Sequence, residues 1–242
     1  MKERGMIFNA EMVRALLDGR KTQTRRIVKG TDGAVKFCKE WDINGEEIFV
    51  VLGEKDRTGM NPVLGAISCP FGAVGDRIWV RETFQGPLFD YDLMDSYCKD
   101  PTPFEKPEFC VYKADGVPAP EFYDADDELH CCWRPSIHMP RWASRILLEI
   151  TDVRVERLNA ISPEDAESEG VERTNFTGFG DEPGLPSYPE PDVYFDPLKK
   201  QWKEYPPEAF AGLWESIYGE GSWKANPWVW VIEFKRVEGG AA

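Results

Sequence analysis

The sequence predicts an α+β fold, namely a small β-barrel with helices at its rim and two large insertions, in one domain over residues 1–242. Strand-like runs, either alternating or largely apolar, occur at 75–84, 145–158 and 228–237. Helix-like stretches occur at 9–18, 161–170 and 207–218. Acidic, aromatic or proline-rich segments interrupt this order at 85–132 and 172–206, and we interpret them as insertions.

The first helix is predicted over residues 9–18, where apolar residues recur on one face. Asn9 is a residue type that caps helix N-termini. Gly19 suits the left-handed conformation that ends many helices. Lys21 then falls in a turn, and the alternation over 22–26 predicts a strand.

The second and third helices have their own end signals. The helix over 161–170 is predicted to begin with Ser162 as the N-cap and Asp165 as its capping-box partner, and to end at Gly170. The helix over 207–218 is amphipathic. Its buried face is predicted to hold Phe210, Leu213, Trp214 and Ile217.

Charge is distributed unevenly along this acidic chain. The formal net charge is −14, yet residues 18–26, DGRKTQTRR, hold four cations. The insertion at 85–132 carries twelve Asp or Glu residues against three Lys residues. Such acidity argues against broad, non-specific DNA binding, but it leaves room for one focused basic pocket that holds an anionic or nucleobase ligand.

Several classes of protein are not expected. No run of about 18 apolar residues suggests a membrane span, and MKERGMIFNAEMV lacks the apolar core of a signal peptide, so we expect a cytoplasmic protein. The six cysteines form no CxxC pair, and the spacing of His130-Cys131-Cys132 fits no common zinc pattern. We therefore expect no metal and no cofactor.

The order of motifs resembles the ASCH domain, which belongs to the PUA-like β-barrel superfamily. The motifs are a helix followed by GRKTQTR, a Gly-Asp turn before a strand, a short helix ending in Glu-Gly, and a final Val-Ile-Glu-Phe strand. With GDRIWVRETF, PSIHMPRWASRI and NPWVWVIEF, the layout is similar to long ASCH-type proteins often found in phages and prophages. The resemblance covers roughly half of the chain and leaves both insertions outside.

The resemblance implies two kinds of activity. Small bacterial members of the family are amidohydrolases that remove the acetyl group from N4-acetylcytidine, using the Lys and Thr of a GxKxxT motif with a Glu on a later helix. These positions correspond to Lys21, Thr24 and Glu169, with Glu167 as the competing register. Other relatives bind or cut RNA or read modified bases, so a non-catalytic RNA or modified-base binding module of phage origin stays open. A structural or assembly protein of a phage is a third possibility.

The chemistry of these residue types suits hydrolysis of an acylated exocyclic amine. A threonine hydroxyl needs a base to become a nucleophile, and a lysine serves as that base only when it is neutral. Repulsion from Arg20, Arg25 and Arg26 is expected to lower the pKa of Lys21. The glutamate could orient the lysine, carry a proton or activate a water, so attack by Thr24 and attack by water both stay open.

Further residues are predicted to bind a nucleoside or RNA ligand. Arg26 would attract an anionic group, Trp79 could stack on a base, and Arg81 and Glu82 follow it on the same strand. His138 lies between Pro135 and Pro140, and Arg141 follows Pro140, so both lie in a segment with a restricted backbone. Each has a structural alternative, since a strand tryptophan often packs in a core and a lone histidine is often structural. The oligomeric state is not predicted.

Overall fold

The computed structural model describes residues 1–123, 128–174 and 193–237. Its strands are β1 (Glu3–Ile7), β2 (Gln23–Ile27), β3 (Lys36–Trp41), β4 (Glu47–Leu52), β5 (Val63–Ile67), β6 (Arg77–Arg81), β7 (Phe84–Gln85), β8 (Val111–Tyr112), β9 (Glu121–Tyr123), β10 (Leu129–Cys131), β11 (Leu147–Arg157), β12 (Arg173–Thr174), β13 (Val193–Asp196), β14 (Gln201–Lys203) and β15 (Trp228–Arg236). Its α-helices are α1 (Ala10–Leu17), α2 (Met94–Lys99), α3 (Pro163–Ser168) and α4 (Pro206–Tyr218). Parts of both predicted insertions, 124–127 and 175–192, lie outside the described residues.

The chain divides into two compact units. Unit 1 contains the described residues of 1–18, 70–151 and 234–242. Unit 2 contains the described residues of 19–69 and 152–233. The single domain over 1–242 stays a prediction.

A small sheet and one helix form the core of unit 1. β6 pairs in parallel with β1, where Gly5 lies opposite Trp79, and antiparallel with β11, where Leu147 lies opposite Trp79. A side chain at Gly5 would come within 2.6 Å of the Trp79 ring, so glycine is needed at this position. The sheet and α1 bury a set of apolar side chains, which includes Met6, Phe8, Val13, Leu16, Ile78, Val80 and Leu148.

The predicted ends of α1 are confirmed. The Met12 N–H donates to Oδ1 of Asn9 over 2.8 Å, which satisfies one of the free donors at the helix start. Gly19 follows the helix with a φ of +75°, in the left-handed region.

Aromatic side chains cluster in the described part of the first insertion. The Phe104 ring lies 4.7 Å from Phe89, 5.7 Å from Tyr97 and 5.5 Å from Phe109, between ring centroids. Phe104 is buried. This acidic segment therefore has a small apolar cluster of its own.

Unit 2 contains strands that our sequence reasoning did not predict. β3, β4 and β5 form a three-stranded antiparallel sheet with β4 in the middle. Phe49 of β4 meets Trp230 of β15 edge to face at 5.0 Å, which fixes this sheet on the core. β12, β13 and β14 form a second three-stranded sheet. The signal for β3 and β4 was present in the Asp-Ile-Asn-Gly turn at 42–45 between two β-rich runs.

Both helices of unit 2 were predicted, with one error. In α3, the Ser162 hydroxyl accepts from the Asp165 N–H over 3.1 Å, and Gly170 follows with a φ of +86°, so both end signals are confirmed. In α4, Phe210, Leu213 and Trp214 are buried as predicted. Ile217 is 41% exposed, so its place on the buried face was wrong. It lies in the last turn of the helix.

The α+β class is confirmed, because helices and several separate sheets occur together. Among the described residues no sheet closes on itself, and the small barrel stays a prediction. Within the same residues, no helix has both the length and the apolar character needed to cross a membrane.

Candidate active site

The segment after Gly19 lies against the C-terminal end of α3. The Thr22 N–H donates to the Ser168 carbonyl oxygen over 2.8 Å. The Arg20 guanidinium donates to the Gly170 carbonyl oxygen over 3.1 Å. Both carbonyls belong to the helix end, where backbone acceptors lack helical partners, so these contacts join the GRKTQTR segment to the Glu-Gly ending of α3.

Lys21 and Glu169 form a buried pair at this junction. Nζ of Lys21 lies 2.7 Å from Oε2 of Glu169 and donates to the Glu169 carbonyl oxygen over 2.9 Å. The side chains of Lys21 and Glu169 are 0% and 2% exposed. Such a pair depends on good geometry, because both charges have left water.

Arg25 holds the second oxygen of the same carboxylate. Its Nη1 lies 3.2 Å from Oε1 of Glu169, and its Nη2 lies 2.6 Å from Oδ2 of Asp165. Arg154 also reaches Oδ2 of Asp165, over 2.9 Å. Glu169 is thus held between two cations, and Arg25 is itself anchored by a carboxylate one helical turn before Glu169.

Burial governs the proton affinity of Lys21. Loss of hydration is the largest effect and lowers the pKa of Lys21, although Glu169 opposes the change. Repulsion from Arg26 and Arg25 adds to the lowering, as predicted, but it is a smaller effect than burial. The Lys21 ammonium is therefore more acidic than an exposed lysine.

Asp165 responds in the opposite way to its surroundings. Partial burial would raise the pKa of Asp165, but hydrogen bonds and charges from Arg25 and Arg154 outweigh this and lower it. Asp165 thus serves as an ionised anchor for two arginines. Our capping-box prediction gave its side chain a different partner.

The two registers predicted for the glutamate have different surroundings. Glu169 contacts Lys21, whereas Oε1 of Glu167 accepts a short hydrogen bond from the Tyr194 hydroxyl. The geometry therefore favours Glu169 as the partner of Lys21.

Thr24 and Arg26 lie on β2 on either side of Arg25. Thr24 is 1% exposed and pairs with Ile232 of β15, and Arg26 pairs with Trp230. Because side chains alternate along a strand, both point to the face opposite Arg25, whose guanidinium contacts Glu169. The roles of Thr24 in catalysis and of Arg26 in ligand binding stay predictions.

The other predicted ligand residues belong to unit 1, and the strand residues among them are held by protein contacts. The Arg81 guanidinium lies 5.3 Å from the Trp79 ring centroid, so the two side chains share a face, as residues two positions apart on a strand do. Arg81 donates to the carbonyl oxygens of Ser136 and Ile137. Trp79 is half-buried. Stacking of a base on Trp79 stays a prediction.

Glu82 is buried in an ion-pair network. Nε and Nη2 of Arg145 each lie 3.0 Å from one oxygen of Glu82, and Arg145 also pairs with Asp115 over 2.7 Å. The same guanidinium lies 3.9 Å from the Tyr112 ring centroid. Burial raises the pKa of Glu82, and Arg145 opposes the change. These contacts supply a structural reason for a carboxylate at this position.

His138 and Arg141 lie in short 3₁₀ turns. His138 is the last residue of the turn Ser136–His138 and is exposed. Arg141 lies 3.0 Å from Oε2 of Glu3. Their part in ligand binding stays a prediction.

Our sequence reasoning predicted Asp165 only as a helix-capping residue, missed Arg154 and gave Arg25 only a secondary electrostatic role. Asp165 and Glu169 are four residues apart, a spacing that places two carboxylates on one helical face. Arg25 alternates with Thr24 on a predicted strand, so it could have been assigned to the face opposite Thr24. Which face met α3 was not visible in the sequence.

No protein-family model matches the chain, and no curated protein or solved structure is significantly similar to it. In the part of the chain that the structure describes, no group of three or more His, Cys, Asp or Glu side chains is placed to hold a metal ion. The chemistry of the site therefore follows from its own contacts.

Proposed function

We propose that the chain is a hydrolase of an N-acylated nucleoside such as N4-acetylcytidine, and that its fold is a PUA-like barrel of the ASCH kind. The buried contact between Lys21 and Glu169 carries the proposal. It joins the lysine of GRKTQTR to the glutamate at the end of a later helix, the pairing that the resemblance implies. The anchored Arg25 beside them adds the rigidity that a catalytic carboxylate needs.

The pair can supply both proton transfers of amide hydrolysis. A water attacks the acyl carbon and gives a proton to the Glu169 carboxylate, while the carbonyl electrons move to the acyl oxygen. When the intermediate collapses, the C–N bond breaks and the Lys21 ammonium protonates the departing amine. The products are a carboxylic acid and the free amine. Transfer of the proton from Glu169 to Lys21 across 2.7 Å then restores the pair.

The lowered pKa of Lys21 suits this role. An acid transfers its proton to a leaving amine more readily when its pKa lies closer to the working pH. We assign water as the nucleophile, because Thr24 lies on the strand face opposite Arg25. Thr24→Val should then retain turnover, whereas attack by Thr24 would be abolished by this change.

A substrate can reach the Lys21–Glu169 pair only if the protein atoms that bury it move, since the two side chains are 0% and 2% exposed. The substrate-bound form therefore differs locally from the structure described. Amide hydrogen exchange at residues 19–22 and 163–170 should change when substrate is added. The exchange rates of α1 should not change.

Product analysis by mass spectrometry tests the proposal. Wild-type protein, Lys21→Met and Lys39→Met would be incubated with N4-acetylcytidine and the release of cytidine measured. Lys39 is a matched control, because it also pairs with carboxylates, Glu47 at 2.8 Å and Asp152 at 3.3 Å. Cytidine from the wild type and Lys39→Met but not from Lys21→Met supports the proposal. No cytidine from folded wild-type protein overturns this substrate, and turnover by Lys21→Met overturns the role of Lys21.

A non-catalytic RNA or modified-base binding module is the second candidate. The closed state of the Lys21–Glu169 pair favours it, because an ion pair that only stabilises the fold needs no access to solvent. Binding that weakens steeply as salt rises, with no turnover of N4-acetylcytidine, would support this candidate.

A further inference from the structure

The strand β5 is an edge of the three-stranded sheet in unit 2. Among the described residues the strand order is β3, β4, β5, so β5 pairs with a strand on one side only. No hydrogen bond from its backbone to a residue outside this sheet occurs among the described residues. An edge of this kind presents backbone donors and acceptors to any strand that approaches.

The edge also lacks the charged side chains and prolines that often prevent pairing. No charged residue occurs between Arg57 and Asp76, in a chain with a net charge of −14. Val63 and Leu64 of β5 are 67% and 51% exposed. Native sheets commonly protect such edges with lysines, other charges or proline, and β5 carries none of these within its span.

The pairing with β4 limits which part of β5 is available. The register shifts between Val51 and Leu52 of β4, so that Leu64 is an extra residue between Val63 and Gly65. The regular part of the strand is therefore 65–67. Ala66 lies in its middle and is exposed.

We propose that β5 pairs antiparallel with β5 of a second copy of this chain, with Ala66 at the two-fold axis. Gly65 then lies opposite Ile67 of the partner subunit, and the two sheets become one sheet of six strands. A second copy fits this edge because it offers the same uncharged strand. Two chains of charge −14 repel each other as a whole, and along the uncharged strands no like charges meet. Small residues at the axis let the two backbones approach.

Sedimentation equilibrium tests the proposal between about 1 and 100 μM, with a monomer mass of 27.6 kDa. The wild type should dimerise in this range. Ala66→Glu should weaken dimerisation by about tenfold or more, because like charges would lie opposite each other at the axis. Ile43→Glu is the matched control, since Ile43 is fully exposed in the β3–β4 turn and outside β5. It should dimerise as the wild type does.

Two results would overturn the proposal. The first is a wild type that stays monomeric at the highest concentration. The second is a dimer that Ala66→Glu and Ile43→Glu leave equally intact, which would place the interface elsewhere. Circular dichroism shows whether each variant is folded. Thiol cross-linking gives an independent check, because Ala66→Cys should raise the cross-linked dimer above the wild-type level and Ile43→Cys should not.

Discussion

Nζ of Lys21 lies 2.7 Å from Oε2 of Glu169, and the other carboxylate oxygen lies 3.2 Å from Nη1 of Arg25. One carboxylate thus contacts two buried cations, of which Arg25 also pairs with Asp165. This asymmetry decides how the site should respond to substitution.

Loss of the carboxylate should cost more stability than loss of the lysine. We expect Glu169→Gln to lower the free energy of unfolding by about 3–5 kcal/mol, because it leaves the buried Lys21 without its anion and removes one of the carboxylates that hold Arg25. Lys21→Met should cost less, about 1–3 kcal/mol, because Arg25 still compensates Glu169. Urea denaturation followed by tryptophan fluorescence measures both values.

Glu167→Gln is the control for this comparison. Glu167 is two residues away from Glu169 and accepts a hydrogen bond from the Tyr194 hydroxyl. The amide oxygen of a glutamine can accept the same hydrogen bond. We expect a loss below about 1 kcal/mol. Equal losses for Glu167→Gln and Glu169→Gln would contradict the central place of Glu169.

The stability of the protein should depend on the protonation of Lys21. Burial lowers its pKa below the ordinary value of 10.5, so the unfolded chain binds more protons than the folded chain between these two values. Stability therefore rises with pH across that window, and the penalty of burying the charge is fully present below it. The advantage of the wild type over Lys21→Met in urea denaturation should increase as pH approaches 10.5.

Lys39 should give the opposite sign. Although some burial acts against it, contacts with Glu47 and Asp152 raise the pKa of Lys39 above 10.5. Its stabilising contribution is then fully present below pH 10.5 and is lost as pH rises through the raised value. The advantage of the wild type over Lys39→Met should shrink there. If the stability difference from wild type changed with pH in the same direction for Lys21→Met and Lys39→Met, the opposite pKa shifts of the two lysines would be contradicted.

Arg145 should matter more to stability than Asp115 does. Arg145→Met leaves Glu82, which is 1% exposed, without its cation, and we expect a loss of about 3–5 kcal/mol in thermal or urea denaturation. The Asp115 side chain is 39% exposed, so Asp115→Asn should cost about 1 kcal/mol or less. A loss for Asp115→Asn as large as that for Arg145→Met would contradict this order.

Gly212 should not tolerate alanine, although alanine is the better helix former. A Cβ atom at Gly212 of α4 would overlap Oδ1 of the buried Asp196. We expect Gly212→Ala to destabilise the protein by about 1–3 kcal/mol in urea denaturation. Ser216→Ala on an exposed position of the same helix should change stability by only about 0.5 kcal/mol. A stabilising Gly212→Ala would show that Asp196 can move away at little cost.

Local structure could be predicted where neighbouring residues decide it. Asn9 and Ser162 cap their helices, and Gly19 and Gly170 follow them, because each of these roles involves only residues three or four positions away. The strands β3 to β5 were missed although a turn signal was present. The failure at Ile217 has another cause, since helical periodicity places it on the apolar face but its side chain in the last turn of the helix is 41% exposed.

The candidate site was predicted in part. Lys21 and Glu169 are 148 residues apart, and the resemblance rather than any local pattern brought them together. The pairing of Asp165 with Arg25 and Arg154 was missed because long-range ion pairs leave no periodic signal. The exposure of β5 could not be predicted either, since an edge strand and a central strand can have the same residues.

The sequence by itself determined the α+β class, the ends of α1 and α3 and the uncharged run between Arg57 and Asp76, because these depend on composition and on near neighbours. Only the tertiary structure decided that Lys21 is buried, that Arg25 faces α3 and that β5 lies at an edge. These properties depend on which distant segments meet. Hydration, and with it the pKa of Lys21, is a consequence of that packing.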